Sequence, residues 1–195
     1  NHYFDENPVT PHKLKTIEFS IRDKRLLFTT DTSVFSKDKV DYGSKCLIKS
    51  MPKLSGRILD LGCGYGTVGL SLALLNPDTN ITMVDINSRA IDLAITNANI
   101  NGIKNVDIFS SDGFTKVNGL YNAIVSNPPI RAGKKVIYPL FEQSIYYLKN
   151  GGSLYLVIQK KQGAKSATEK LIALYGNCHV VNKSGGYWIL KSTKS

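Results

Sequence analysis

The chain has 195 residues, 42% of them apolar and 21% charged, which suits a single globular unit with a well-buried core and excludes a low-complexity chain. Its formal net charge of +10 favours a polyanionic partner, most simply nucleic acid. No apolar stretch approaches the ~18–20 residues that span a membrane, and Asn1–Pro8 carry no apolar signal core, so a soluble, cytoplasmic protein is expected.

Near the N-terminus Ile17, Phe19 and Ile21 alternate with polar residues, Arg22-Asp23-Lys24 makes a turn, and Arg25 to Thr30 continues extended. This predicts a β-hairpin. Residues 1–36 are read as an extension carrying that hairpin, packed on a single catalytic domain at 37–195. A helix is expected over Lys37–Met51, ended by Pro52. Strand and helix then alternate. The pattern predicts strand Arg57–Leu61, helix Thr67–Leu75, strand Ile81–Asp85, and helix Ser88–Asn101 with Ser88 as N-cap and Gly102 beyond its end. Strands Val106–Ser110 and Tyr121–Ser126, helix Val136–Lys149, strand Ser153–Gln159 and helix Ala164–Tyr175 follow. Two last strands, His179–Asn182 and Tyr187–Lys191, turn about Gly185-Gly186. The alternation means an α/β fold, a doubly wound and mostly parallel sheet with an antiparallel hairpin at its C-terminal end.

Three features carry chemistry. Asn127-Pro128-Pro129 stops the apolar run Ala123-Ile124-Val125 abruptly and holds one amide side chain rigidly at a strand's carboxyl end, where ligands bind in open α/β sheets. An amide oxygen and an adjacent backbone carbonyl can accept both protons of a planar –NH2 group. The loop Asp60-Leu61-Gly62-Cys63-Gly64-Tyr65-Gly66 lies between strand and helix, suited to a nucleotide-containing cofactor. Asp85 ends the next strand, placed to accept from ribose hydroxyls. Asp112 ends the third and is either an acceptor for an adenine amino group or a turn residue before Gly113. Gly64-x-Gly66-x-x-Gly69 also satisfies a dinucleotide pattern, yet Asp60 would repel a pyrophosphate. It suits an ammonium and a sulfonium, namely S-adenosylmethionine.

Arg131, Lys134 and Lys135 follow the prolines, and Lys160, Lys161 and Lys165 follow the last strong strand. Placed at one sheet edge, they would make a basic rim for phosphates. Cys46, Cys63 and Cys178 form no metal-binding or disulfide pattern, and His2, His12 and His179 are isolated, so no metal site is expected. Cys63 reads as loop packing, and Tyr138, Tyr146, Tyr147 and Trp188 read as core before base-stacking residues.

Asp60-x-Gly62-x-Gly64-x-Gly66, Asp85 and Asn127-Pro128-Pro129 resemble the class I S-adenosylmethionine-dependent methyltransferases. Val34-Phe35-Ser36, Val40-Asp41-Tyr42-Gly43-Ser44 and the stretches 127–134 and 157–164 resemble more narrowly the methyltransferase small domain group, which includes small-subunit ribosomal RNA guanine-N2 methyltransferases. The resemblance implies a seven-stranded sheet with its last hairpin inserted, and Asp60, Gly62, Gly64, Gly66, Asp85, Ile86, Asp112 and Asn127 around S-adenosylmethionine. It implies Asn127, Pro128 and Pro129 at the methylated amine; from position and charge, Ile130 is read as packing on the base or in the core, and Arg131, Lys134, Lys135, Lys160 and Lys161 as holding RNA. The longer ribosomal RNA enzymes carry an additional N-terminal domain, which leaves the target base open. N6-adenine methylation and protein glutamine-amide methylation are the alternative substrates. A nicotinamide oxidoreductase and a non-catalytic RNA-binding module are the more distant alternatives.

Overall fold

The computed structural model describes residues 13–33, 35 and 39–195. Val34, Ser36, Lys37, His2 and His12 lie outside them. Strands β1 (Leu14–Ile21) and β2 (Lys24–Asp31) pair antiparallel, with Arg22 taking the turn's left-handed position at φ 54°. Ile17, Phe19, Ile21, Leu26 and Phe28 are buried, so the hairpin lays one apolar face on the rest of the molecule.

The main sheet has seven strands: β3 (Gly56–Leu61), β4 (Thr79–Asp85), β5 (Val106–Ser110), β6 (Tyr121–Ser126), β7 (Leu148–Gln159), β8 (His179–Ser184) and β9 (Tyr187–Thr193). Their order is β5-β4-β3-β6-β7-β9-β8, with β9 antiparallel to both of its neighbours. Helices α1 (Tyr42–Ser50), α2 (Thr67–Leu75), α3 (Ser88–Ile100), α4 (Lys134–Ser144) and α5 (Ala164–Tyr175) connect them. Period-two alternation in the strands sorts the core into two layers. Ile58, Ile81, Met83, Val125 and Val157 face α1, α2, α3 and the hairpin, whereas Leu59, Val84, Ile124, Leu154 and Leu156 face α4 and α5. Helix α2 is buried from Thr67 to Ala73 because the sheet, α1 and β2 enclose it. Among the described residues no helix is long and apolar enough to cross a membrane.

Three expected boundaries shift. The first helix starts only at Tyr42, because the Asp41 side chain caps it by accepting from the Ser44 N–H. Asn87, not Ser88, caps α3, accepting from the N–H groups of Arg89 and Ala90. Helix α4 stops at Ser144 and a 3-10 turn over Ile145–Tyr147 leads straight into β7. Gly151 and Gly152, in the gap between the expected helix and strand, lie inside that strand, where a Cβ on Gly152 would stand 2.9 Å from the Asn122 carbonyl oxygen. Close backbone approach is what Gly152 serves, whereas Gly151 takes a left-handed φ of 84° with open space around it.

The hairpin is held by side chains of α3. Asn97 accepts from the Thr29 N–H at 2.7 Å and donates to the Thr29 and Tyr65 carbonyls at 2.9 and 2.8 Å. One turn later Asn101 makes the same reciprocal pair with Leu27, at 3.0 and 2.8 Å. At the end of β2 the buried Asp31 carboxylate stands 2.6 Å from the Arg89 guanidinium.

Candidate active site

The carboxyl ends of β3, β4, β5, β6 and β7 share one edge, and the strand order reverses between β3 and β6. That reversal leaves a crevice between the loops that leave these two strands. Ser126 fastens its two sides, donating to the Leu61 carbonyl at 2.9 Å.

On the β3 side, Gly62, Gly64 and Gly66 take φ of 78°, 57° and 111°, a region closed to most side chains. The loop turns back onto β4: Gly62 and Cys63 donate to the Val84 carbonyl, and Gly64 donates to Asp85 Oδ2 at 2.8 Å. Asp85 Oδ1 accepts from Asn87 at 2.9 Å. Both oxygens thus have one fixed partner and keep capacity for a ribose hydroxyl each. Asp60 is buried at 2% exposure and accepts from the Gly69 N–H at 2.9 Å. Burial pushes its carboxyl up to about 7; the Gly69 N–H pulls the other way and the Asp85 carboxylate adds a smaller push. Gly69 must be small, since a Cβ there would stand 2.7 Å from Asp60 Oδ2 and 2.8 Å from Met83 Cε. The pattern that mimics a dinucleotide site is thus completed by a packing requirement. Burial, then the Asp60 and Asp85 carboxylates, push the Cys63 thiol well up, which leaves it an inert packing group.

Two cavities meet in the crevice. One of about 400 Å³ is lined by Asp85, Ile86, Ser111, Asp112, Val136 and Leu140 among others. Ile86 is 69% exposed at its lip, an apolar face offered to a planar ring. The other, of about 140 Å³, is lined by Asp60, Phe35, Asp41, Ser44, Tyr65 and Thr67 among others. Gly62 and Asn127 line both, and nothing lies within 4 Å of where a Gly62 Cβ would stand. A larger, mostly apolar chamber with carboxylates at its edge fits an adenosine. A smaller chamber with one buried carboxylate fits an amino-acid tail carrying an ammonium. The donor set therefore suits S-adenosylmethionine, with Gly62 and Asn127 at the join.

Asn127 is exposed, between buried Ser126 and buried Pro128. Its Nδ2 donates to Ser44 Oγ at 3.2 Å and lies 3.4 Å from Asp41 Oδ1. Ser44 Oγ in turn donates to Asp41 Oδ2 at 2.9 Å. A carboxylate can only accept, so the amide NH2 must face Asp41 and the amide oxygen turns away from it. Asp41 and Ser44 belonged to a recognisable string, but the residues alone gave them no role. The Pro128 carbonyl accepts from the Ile130 N–H at 2.8 Å and retains a second lone pair.

The remaining expected residues scatter. Pro129 lines the larger cavity, whereas Ile130 packs against the α4-side core and lines neither cavity. Arg131, Lys134 and Lys135 are exposed at the start of α4, where neighbouring Ala132 and Val136 line the larger cavity. Lys160, Lys161 and Lys165 line a separate cleft of about 470 Å³ with Gln159, Gly185 and Gly186. The basic residues thus form two groups on the same edge, not one rim. Tyr138, Tyr147 and Trp188 pack on the core, and Tyr146 is exposed.

The methyltransferase small domain family model matches residues 25–191, from β2 into β9. The uncharacterized protein YbxB of Bacillus subtilis is 49% identical over 197 residues, covering 99% of this chain and 98% of that protein. Ribosomal RNA small subunit methyltransferase C of Aeromonas hydrophila is 35% identical over 158 residues, covering 77% of this chain and 46% of that one, so the chain spans about half the length of the relatives of that name. Among solved structures, the T. thermophilus 16S rRNA N2 G1207 methyltransferase in complex with AdoMet and guanosine superposes with a TM-score of 0.83 at 22% identity, over 96% of this chain and 52% of that one. A methyltransferase from Pyrococcus furiosus superposes at 0.69 with 20% identity, over 84% and 91%. These likenesses show a common fold. With the family match running across the glycine loop, Asp85 and Asn127, the chain belongs to the methyltransferase small domain family, and the expected enzyme class and S-adenosylmethionine cofactor are those of that family.

Proposed function

We propose that this protein methylates an exocyclic amino group of a nucleic-acid base, guanine N2 in ribosomal RNA, with residues 37–195 as one catalytic unit. The observation that carries the reading is the amide of Asn127: its NH2 is engaged by Ser44 and Asp41, so its oxygen is left for a donor entering the crevice. The names of the ribosomal RNA methyltransferase relatives and of the solved enzyme with guanosine support the substrate class, and the net charge of +10 agrees with it.

S-adenosylmethionine, when bound, supplies a methyl group already activated on a sulfonium. The chain's part is placement and exclusion of water. Asp85 holds the ribose hydroxyls, Ile86 covers the adenine face and Asp112 accepts from the adenine amino group. Asp60 faces the ammonium of the methionine tail. On the substrate side, the Asn127 amide oxygen and the Pro128 carbonyl accept the two N–H protons of the base amine. Its lone pair, otherwise delocalised into the ring, is then localised toward the crevice. No strong base is required beforehand, because the amine proton becomes acidic only as the new bond forms. Arg131, Lys134, Lys135, Lys160 and Lys161 hold phosphates, and a paired target base must leave its stack to reach Asn127.

The test is transfer of labelled methyl groups to ribosomal subunits and total RNA from cells lacking the protein, followed by nucleoside analysis. Labelled N2-methylguanosine, absent with Asn127→Ala while cofactor affinity stays within about threefold, is the expected result. Label in N6-methyladenosine or in protein glutamine overturns the guanine assignment, and equal loss of transfer and of cofactor affinity overturns the role of Asn127.

A further inference from the structure

From Asn127, contacts run through Asp41 and Ser44 at the start of α1 to the β8–β9 turn. Tyr42, next to Asp41, is 48% exposed and packs against Tyr187 with ring centroids 5.6 Å apart. Its hydroxyl meets Ser184 Oγ at 2.6 Å. Two glycines allow this approach: a Cβ on Gly43 would stand 2.9 Å from Tyr187 Cε1, and one on Gly185 would stand 2.8 Å from Tyr42 Cε2. Gly185 and Gly186 then form one wall of the lysine cleft, and the Lys160 N–H donates to the Gly186 carbonyl at 2.8 Å, joining its two walls. Among the described residues no acidic one lines that cleft. An aromatic pair, exposed at Tyr42 and half-buried at Tyr187, therefore stands between the amide of Asn127 and a basic cleft.

We propose that the RNA strand flanking the target nucleotide runs from Asn127 over the Tyr42–Tyr187 pair into the Lys160–Lys161–Lys165 cleft, and that the substrate is therefore single-stranded or unpaired RNA. This rests on the nucleic-acid reading above and adds the path. The rings take the face of an unstacked base, which a duplex does not offer, and the cleft takes the backbone phosphates. The group at Arg131, Lys134 and Lys135 lies on the other flank, beside the cofactor cavity.

Binding of a fluorescein-labelled oligouridylate and of a duplex RNA of equal length, read by anisotropy across a salt series, tests the path. The single strand is expected to bind more tightly. K160E/K161E should weaken it at least about tenfold and flatten the log–log salt slope by about 1.4, the loss of two phosphate contacts. K53E/K104E, the same charge change on loops at the opposite sheet edge, should weaken it far less. Tyr42→Ala should cost about tenfold while Tyr42→Phe stays within about twofold, because the ring face is what stacks. Affinity for S-adenosylmethionine should not move in any of them. Equal weakening by the two charge-reversed pairs, duplex preference, or equal loss in both Tyr42 variants overturns the path. In the methyl-transfer assay, labelled RNA with an unchanged KM in K160E/K161E overturns the path alone. Absence of RNA label with the wild-type protein overturns the substrate reading and the path with it.

Discussion

At the residue scale, Asp60 sets a stability cost against a binding need. Its carboxyl is pushed up to about 7 from 3.8 by burial, so the folded protein holds a proton that the unfolded chain would release. The sign follows: this group's contribution to stability is full below pH 4, falls as pH rises toward 7, and is gone above it. Asp60→Asn keeps an acceptor for the Gly69 N–H and removes the charge. Its melting temperature should exceed the wild type's at pH 8, by much less at pH 5. The same variant should bind S-adenosylmethionine about tenfold more weakly at pH 8, since a charge-assisted contact to the ammonium is lost. No stabilisation at pH 8 would show that the carboxylate has a compensating partner. Ser44 gives a second test. Ser44→Ala removes the acceptor that holds the Asn127 NH2, so kcat should fall about tenfold or more while KM and cofactor affinity change little. A fall in cofactor affinity alone would make Ser44 a wall of the smaller cavity and nothing more.

At the scale of elements, the N-terminal hairpin is a brace for the glycine loop. Tyr65 of that loop stands between the rings of Phe28 and Phe35, with centroids 6.0 and 5.1 Å away, and its carbonyl accepts from Asn97. Asn97→Ala would leave the Thr29 N–H and two carbonyls without this partner in a buried position, a loss of about 2–4 kcal/mol. Asn101→Ala, at the more exposed end, should cost about 1 kcal/mol or less. Urea unfolding distinguishes the two, and only Asn97→Ala should also weaken cofactor binding. Equal effects would mean the hairpin is fastened without bracing the loop. The hairpin itself was legible from the alternation of Ile17, Phe19 and Ile21, but the brace was not. Asn97 stands on α3 and Asn101 one turn later at its C-terminal cap, and without the fold an asparagine there looks like surface. That i, i+4 spacing beside Ala94 and Ala98 was the available signal. The shifted helix starts have a related cause: Asp41 and Asn87 cap their helices through side-chain geometry that neighbouring polar residues imitate in sequence.

At the scale of the whole molecule, the doubly wound, mostly parallel sheet could be argued from the alternation of strands and helices, and so could the gathering of Gly62, Asp85, Asp112 and Asn127 at one edge, whereas the seven strands with an inserted last hairpin followed only from the family resemblance. Every parallel strand delivers its carboxyl end to the same side. What alternation does not carry is contact across sequence distance: Asn127 meets Asp41 and Ser44 across 86 and 83 residues. The same topology separates a working edge from a structural one, and hydrogen exchange with saturating S-adenosylhomocysteine should report the difference. Amides at 62–66, 85–87 and 111–113 should slow, because they surround the two cavities. Amides at 76–79 and 101–105, on the opposite edge, should not change, although they lie in the same packed sheet. There Asn76 and Asn105 already bond the turns among themselves, with Asn76 accepting from the Leu54 N–H and Asn105 donating to the Ala73 and Thr79 carbonyls. Protection spread evenly over both edges would mean that ligand binding tightens the whole sheet. Protection of 111–113 without 62–66 would place the adenosine correctly and remove the methionine end from the Asp60 cavity.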